Sequence, residues 1–189
     1  MHTFLGRNTM ATNTKYTIIE AYISLISKKG MDKVTVKDVV ESCGITRQTF
    51  YYHFQDLLDV IEWGFRKRTD ESIRRGLEAA SIEEALVIFF SAANDYRPLA
   101  KKILASQKKN QISDLVMNGI QNWLFLMFKE KNSHIDYPVH ELDFALQFYA
   151  YAIAGSLYDV IWNDEADIHY TAKQIVHLMQ PVLSMVQQA

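Results

Sequence analysis

The stretch Thr35–Phe54, TVKDVVESCGITRQTFYYHF, reads as helix, tight turn and helix. Thr35 is placed to cap the first helix, its hydroxyl accepting from backbone N–H groups two or three residues on. Val36, Val39, Val40 and Cys43 follow at helical spacing and form one apolar face. Gly44 ends that helix cheaply because it tolerates positive φ. Ile45 turns an apolar group back into the junction, Thr46 is a second cap, and Arg47–His53 makes a second short helix. Phe50, four residues after Thr46, is the expected buried anchor. Arg47, Gln48, Thr49, Tyr51, Tyr52 and His53 are then left facing outward. A DNA major groove admits one α-helix, and Arg and Gln each make paired hydrogen bonds to a guanine or adenine edge. Thr, Tyr and Lys suit phosphate oxygens, which fix register without reading sequence. The competing reading of the same residues is a small helical hairpin with a polar surface.

Around this stretch, residues from about Lys15 to Trp63 resemble the N-terminal domain of TetR-family transcriptional regulators. The matching pieces are the opening helix IIEAYISLISKKGMDKVTV, the turn DVVESCGIT, and TFYYHF. The resemblance implies a homodimer, a palindromic double-stranded DNA operator, and an all-helical effector domain behind the reader. It implies that Thr35 and Lys37 touch the backbone or groove edge. Arg47, Gln48, Thr49, Tyr51 and His53 line the recognition helix, with Thr46 at its cap and Tyr52 beside them. Three positions depart from the family pattern: Val40 in place of Ala, Gln48 in place of Gly or Pro, and Leu57 in place of a phosphate-contacting Lys. The run RQTFY followed by FQDLLDVIEWGF is similar to the subgroup that includes dihydroxyacetone kinase regulators.

The chain has 189 residues, nearly half of them apolar, enough for one large or two small domains with a sizeable core. A net charge of −2 argues against a generic nucleic-acid coat. Residues 1–75 hold 12 Lys/Arg against 9 Asp/Glu, and residues 76–189 hold 8 against 13. A mildly basic head on an acidic body fits a module that sets one end on phosphates. The single cysteine, Cys43, excludes an internal disulfide framework and reads as core packing. No apolar run approaches the roughly 20 residues needed to span a bilayer. The opening MHTFLGRNTMATN lacks a signal peptide's apolar segment and reads as a mobile arm, so a cytoplasmic location is expected.

The first helix is expected over about Thr14–Lys29, with Ile18, Ile19, Tyr22, Ile23, Leu25 and Ile26 inward and Gly30 as its stop. Lys28 and Lys29 in its last turn either complement the helix dipole or approach DNA. Asp56 caps a longer helix to about Gly76, which joins head and body. Its cations Arg66, Lys67, Arg68, Arg74 and Arg75 read as a solvated surface or as contacts to the acidic body. Ser81 with Glu84 forms a capping-box pattern, and Pro98 suits the first turn of a short helix. Further helices are expected at about Gln111–Lys129, Val139–Trp162 and Asp167–Val186, with a loop over Asn132–Pro138. Apolar residues recur at three and four rather than two, so the fold class is all-α. The expected count is nine helices: a helix-turn-helix domain over 1–55 and a ligand-binding and dimerisation domain over 56–189.

Phe144, Phe148, Tyr151, Gly155 and Tyr158 share one broad face, and Ile175, Leu178, Met179 and Val182 stripe the last helix. The resemblance implies that these pair two copies through an antiparallel four-helix interface; the alternative is that they fill the monomer's own core. Phe89, Phe90, Tyr96, Trp123, Met127 and Tyr149 are large groups on helices expected to surround the body's interior, where they line an effector pocket or simply pack. His134 with His140, and Asp167 with His169, match no zinc spacing, so no metal site is assigned.

These features point to a DNA-binding regulator, a repressor by expectation, switched by an unidentified small-molecule effector. A partner protein in the effector's place is the alternative drawn from the subgroup. A small helical enzyme or ligand carrier requires a reactive constellation. The sequence contains no Gly-rich phosphate loop, no nucleophile motif and no inward carboxylate pair, and no cofactor is implied.

Overall fold

Gly30 and Gly44 have φ of 83° and 67°, and these two left-handed residues mark out the first three helices. In the computed structural model the structure describes residues 4–131 and 139–187, with side chains over 13–129 and 143–180. Among the described residues there are nine α-helices and no strand. They are α1 (Phe4–Lys29), α2 (Val36–Cys43), α3 (Arg47–His53), α4 (Leu57–Glu78), α5 (Ile82–Asp95), α6 (Arg97–Leu104), α7 (Lys109–Lys131), α8 (Val139–Trp162) and α9 (Ile168–Gln187). No helix among the described residues is long and apolar enough to cross a membrane.

The first helix begins at Phe4, well before the expected Thr14, so most of the segment read as an arm is helix. No proline interrupts it, and a helix already held by packing propagates through weak formers. The α7 start also falls earlier than expected, at Lys109, and α6 opens at Arg97 with Pro98 in its first turn. The loop expected over 132–138 lies outside the described residues.

Two buried clusters organise the chain. Ile18, Tyr22 and Ile26 of α1 pack with Val39, Phe50 and Val60. The second cluster gathers the far half of α4 with α5 and α7–α9 around Phe90, Trp123, Leu124, Ile153 and Met179. Helix α4 serves both, through Val60 and Ile61 at one end and Ile73 at the other. It lies tightly on α7: a Cβ added at Gly119 would stand 2.7 Å from the edge of the Phe65 ring, so a larger residue there would have to push that ring aside.

The α6–α7 corner holds the head. Ile112 is buried in the first cluster, with Leu99 and Ile103 packed against it. The Gln107 amide donates to the Asp32 carboxylate at 3.2 Å, and Lys102 donates to the Ser27 carbonyl. The opposite side of α6 is tied to the α8–α9 connection, where Asp164 meets Arg97 at 2.6 Å and Lys101 at 3.3 Å.

Tyr22 is 1 % exposed. Burial first, then Asp32 and Asp56, pushes its hydroxyl up to about 12 from 10.0. The raised value means the unfolded chain ionises first, so stability is full below pH 10 and falls as pH rises toward 12. Alkaline titration of the unfolding midpoint should show this loss, at most about 3 kcal/mol. Tyr22→Phe should flatten it.

Candidate nucleic-acid interface

Two short polar caps build the reading unit. Thr35 and Asp38 form a reciprocal box: the Asp38 amide donates to Thr35 Oγ1 at 3.2 Å, and the Thr35 amide donates to Asp38 Oδ2 at 2.7 Å. Lys29 Nζ also reaches Asp38 Oδ2, at 2.8 Å. The Lys29 ammonium, then Thr35, holds the Asp38 carboxyl well below the usual carboxylate range. One of the two helix-end lysines is therefore engaged within the head. Gly44 closes α2 with its amide on the Glu41 and Val40 carbonyls, and Thr46 Oγ1 accepts from the Thr49 amide at 3.0 Å. Cys43 is half-buried, with its thiol on the Thr17 carbonyl at 3.7 Å.

Phe50 is fully buried, at 0 % exposure, with Phe54 beside it. Around it Thr46, Arg47, Gln48, Tyr51 and Tyr52 are exposed, while Thr49 and His53 are half-buried. Tyr52 is 81 % and Tyr51 57 % exposed. Thr35 and Lys37 are exposed at the start of α2. All nine expected DNA-facing residues thus lie on α3, in the first turn of α2 or at the caps of these two helices, and none belongs to the core. Burial first, then the nearby Lys15 ammonium, keeps the His53 imidazole below its ordinary value, favouring the neutral ring. Lys15 lies far from the motif in sequence and was not among the expected residues.

The expected effector-pocket residues are placed differently. Phe90, Trp123 and Met127 are fully buried in the second cluster. Phe89 is half-buried and packs its ring 5.3 Å from Trp123; Tyr96 lies under Arg68, which also donates to its hydroxyl. Tyr149 is buried and donates to the Leu178 carbonyl at 2.9 Å. None of the six lines either of two surface grooves among the described residues. One, about 210 Å³, is bounded by Ser81, Glu83, Glu84, Val87 and His169; the other, about 290 Å³, by Gln121, Phe125, Asp143, Leu146 and Gln147. The Phe89 ring also meets that of Phe90, at 5.6 Å.

The expected pairing residues divide. Phe144, Phe148, Tyr151 and Tyr158 are 72 %, 61 %, 59 % and 59 % exposed, and Gly155 is open on the same face. Leu178 of α9 is 67 % exposed. Ile175 and Met179, in contrast, are buried within the protomer and are corrected to core, because they lie on the α9 face turned to α5 and α8. Val182 lies outside the residues whose side chains are described. Trp162 and Tyr170 are exposed as well. The histidine pair His134 and His140 also lies outside the described side chains, and no group of three potential metal ligands occurs among the described residues.

Comparison with known proteins agrees with this geometry. Residues 18–57 match the family model described as bacterial regulatory proteins, tetR family. Over 168 residues, 88 % of both chains, the protein is 23 % identical to the dhaKLM operon transcriptional activator DhaS of Lactococcus lactis subsp. lactis (strain IL1403). Over 44 residues, 23 % of both chains, it is 43 % identical to the uncharacterised helix-turn-helix regulator YvdT of Bacillus subtilis (strain 168). A solved structure of a dihydroxyacetone kinase operon activator DhaS superposes with a TM-score of 0.70 at 20 % identity, covering 92 % of this chain and 96 % of that one. With its capped reading helix and open polar rim, the chain is a helix-turn-helix transcriptional regulator whose residues 18–57 match the tetR family of bacterial regulatory proteins.

Proposed function

We propose that the chain acts as a homodimer that reads a palindromic DNA operator with two copies of α3 and is switched through its body. The observation that carries this is the outer face of α8. Phe144, Phe148, Tyr151, Gly155, Tyr158 and Trp162 recur in steps of four and three, the period of helices that pair along their length. Their rings are exposed in the protomer, and such patches mark binding surfaces. A seven-residue reading helix contacts few base pairs, so a second head one duplex turn away, or a multiple of it, supplies the missing specificity. The proposed division is a reading head over 1–55 and a body over 56–189, acting in the cytoplasm beside the chromosome.

Footprinting on its own upstream region, together with gel-shift titration, tests the reading. Arg47→Ala and Tyr51→Ala should each weaken specific binding by about 1–3 kcal/mol, while thermal unfolding stays within about 0.5 kcal/mol. Absence of any sequence preference would refute the proposal.

A small effector is proposed to enter among α4, α5 and α7. Ser72 Oγ and Trp123 Nε1 are buried there without a hydrogen-bond partner among the described residues, which suits a ligand offering an acceptor to the indole. A partner protein is the second reading. The relative DhaS is named an activator, and activation requires a surface for other proteins. The α7–α8 groove beside Phe125, itself 48 % exposed, offers one. Repression needs only that the bound dimer occupy the promoter. Co-purification from the native host separates the partner reading from the small-effector reading.

A further inference from the structure

The corner between α3 and α4 lacks a cation of its own. From Gln48 to Phe65 the sequence contains no lysine or arginine, but it does contain Asp56, Asp59 and Glu62. Two of these carboxylates cap the chain locally: Asp56 accepts from the Leu58 and Asp59 amides at 2.7 and 2.9 Å, and Asp59 accepts from the Gln55 amide at 2.9 Å. The outgoing end of the reading helix would therefore meet a polyanion with no positive charge beside it.

The fold brings one from α1. Lys15 Nζ stands 4.8 Å from the centre of the Phe54 ring and 5.6 Å from that of Trp63. The two rings meet edge to face at 5.9 Å, and Tyr16 closes on Trp63 at 5.0 Å. Ring faces attract an ammonium and leave it without a neutralising partner. Among the described residues no carboxylate pairs with Lys15, whereas Lys29 is held by Asp38 and Lys37 faces Glu41 at 3.8 Å. Lys15 is also close enough to His53, the last residue of α3, to disfavour its protonation.

We propose that Lys15 is a DNA-phosphate contact, held over Phe54 and Trp63 so that its ammonium meets the backbone beside the C-terminal end of the recognition helix. It supplies affinity and register without reading a base. This rests on the DNA-reading dimer proposed above.

The test uses the full-length protein and a duplex that the wild type enriches from a randomised pool, with binding measured across salt concentrations. Each phosphate contact contributes about 0.9 to the slope of log K against log salt. With one Lys15 in each head, Lys15→Gln should make the slope shallower by about 1.8, so a fourfold rise in salt should cost the variant about 12-fold less affinity than the wild type. Lys15→Arg should keep the wild-type slope, and the footprint should not move in either. Lys15→Met, whose stem still covers the two rings, should match the glutamine variant in slope and the wild type in melting midpoint. An unchanged slope in the Gln and Met variants, with or without a lowered melting midpoint, would reduce Lys15 to a packing residue and overturn the proposal. A wild-type protein that selects no duplex would overturn the dimeric reader as well, which distinguishes the two failures.

Discussion

Phe148→Glu combined with Tyr158→Glu is expected to leave a monomer that retains its helix content and loses at least about 100-fold in operator affinity. Both rings stand in the open stripe on α8, 61 % and 59 % exposed, while the inward side of the same helix carries Leu146, Ala150, Ile153 and Leu157 in the core. Two glutamates therefore remove only the ring contacts to Tyr149 and Trp162 within the protomer but would set four carboxylates against one another across a two-fold interface. The loss in affinity follows because two linked heads bind with an advantage of about 10² to 10⁴ over one. Sedimentation would report the mass, and circular dichroism the helix content. Melting would separate the states further: a dimer's midpoint rises with concentration, and the variant's should not. A variant that stays dimeric would mean that the pairing surface lies elsewhere.

The position of α6 links that surface to the head. One side of α6 donates to Ser27 and packs Leu99 and Ile103 onto the head cluster; the other meets Asp164 at the turn next to Trp162. Helix α6 thus bridges α1 and the α8–α9 connection, in parallel with α4, and gives the head two attachments to the body.

The head was legible in the sequence because its physics is local. Thr35, Gly44, Thr46 and Phe50 lie within sixteen residues, and each dictates its own neighbourhood through a cap, a positive φ or a buried ring. The exposed face of α8 was legible for a similar reason, since its period is visible along one helix. What sequence could not divide was α9, where Ile175 and Met179 face inward while Leu178 stands outward among the exposed His169, Lys173, His177 and Gln180. Assigning those residues needed the partner helices, α5 and α8. The same limit explains the body's aromatics: the chain shows that Phe90, Trp123 and Met127 are large, but whether large groups line a void or fill it depends on all the helices around them. Lys15 illustrates non-local placement most clearly. It is separated from Phe54 by most of the head, and no pattern along the chain announces their contact.

Phe50→Ala should be the most damaging single change in the head, costing about 3–5 kcal/mol of its stability. The ring is 0 % exposed and lies with Val39, Val60 and Ile18 in the first cluster, edge-on to Tyr51 at 5.4 Å. Helix α3 has only 7 residues, whereas isolated helices shorter than about 12–15 are marginal in water. Its persistence depends on that one anchor more than on its own backbone bonds. Hydrogen exchange should show α2 and α3 exchanging far faster in the variant, and DNA binding should vanish with them. The second cluster, whose core is built from Phe90, Trp123 and Ile153, should keep most of its protection. Phe50→Leu, which refills most of the volume, should recover much of the lost stability and, with it, operator binding, because the side chains that meet DNA are untouched. Arg47→Ala should show the opposite pattern, with weakened binding on an unchanged fold. Were Phe50→Ala instead to melt like the wild type, the ring would not be the anchor, and the outward assignment of its polar neighbours would fail with it.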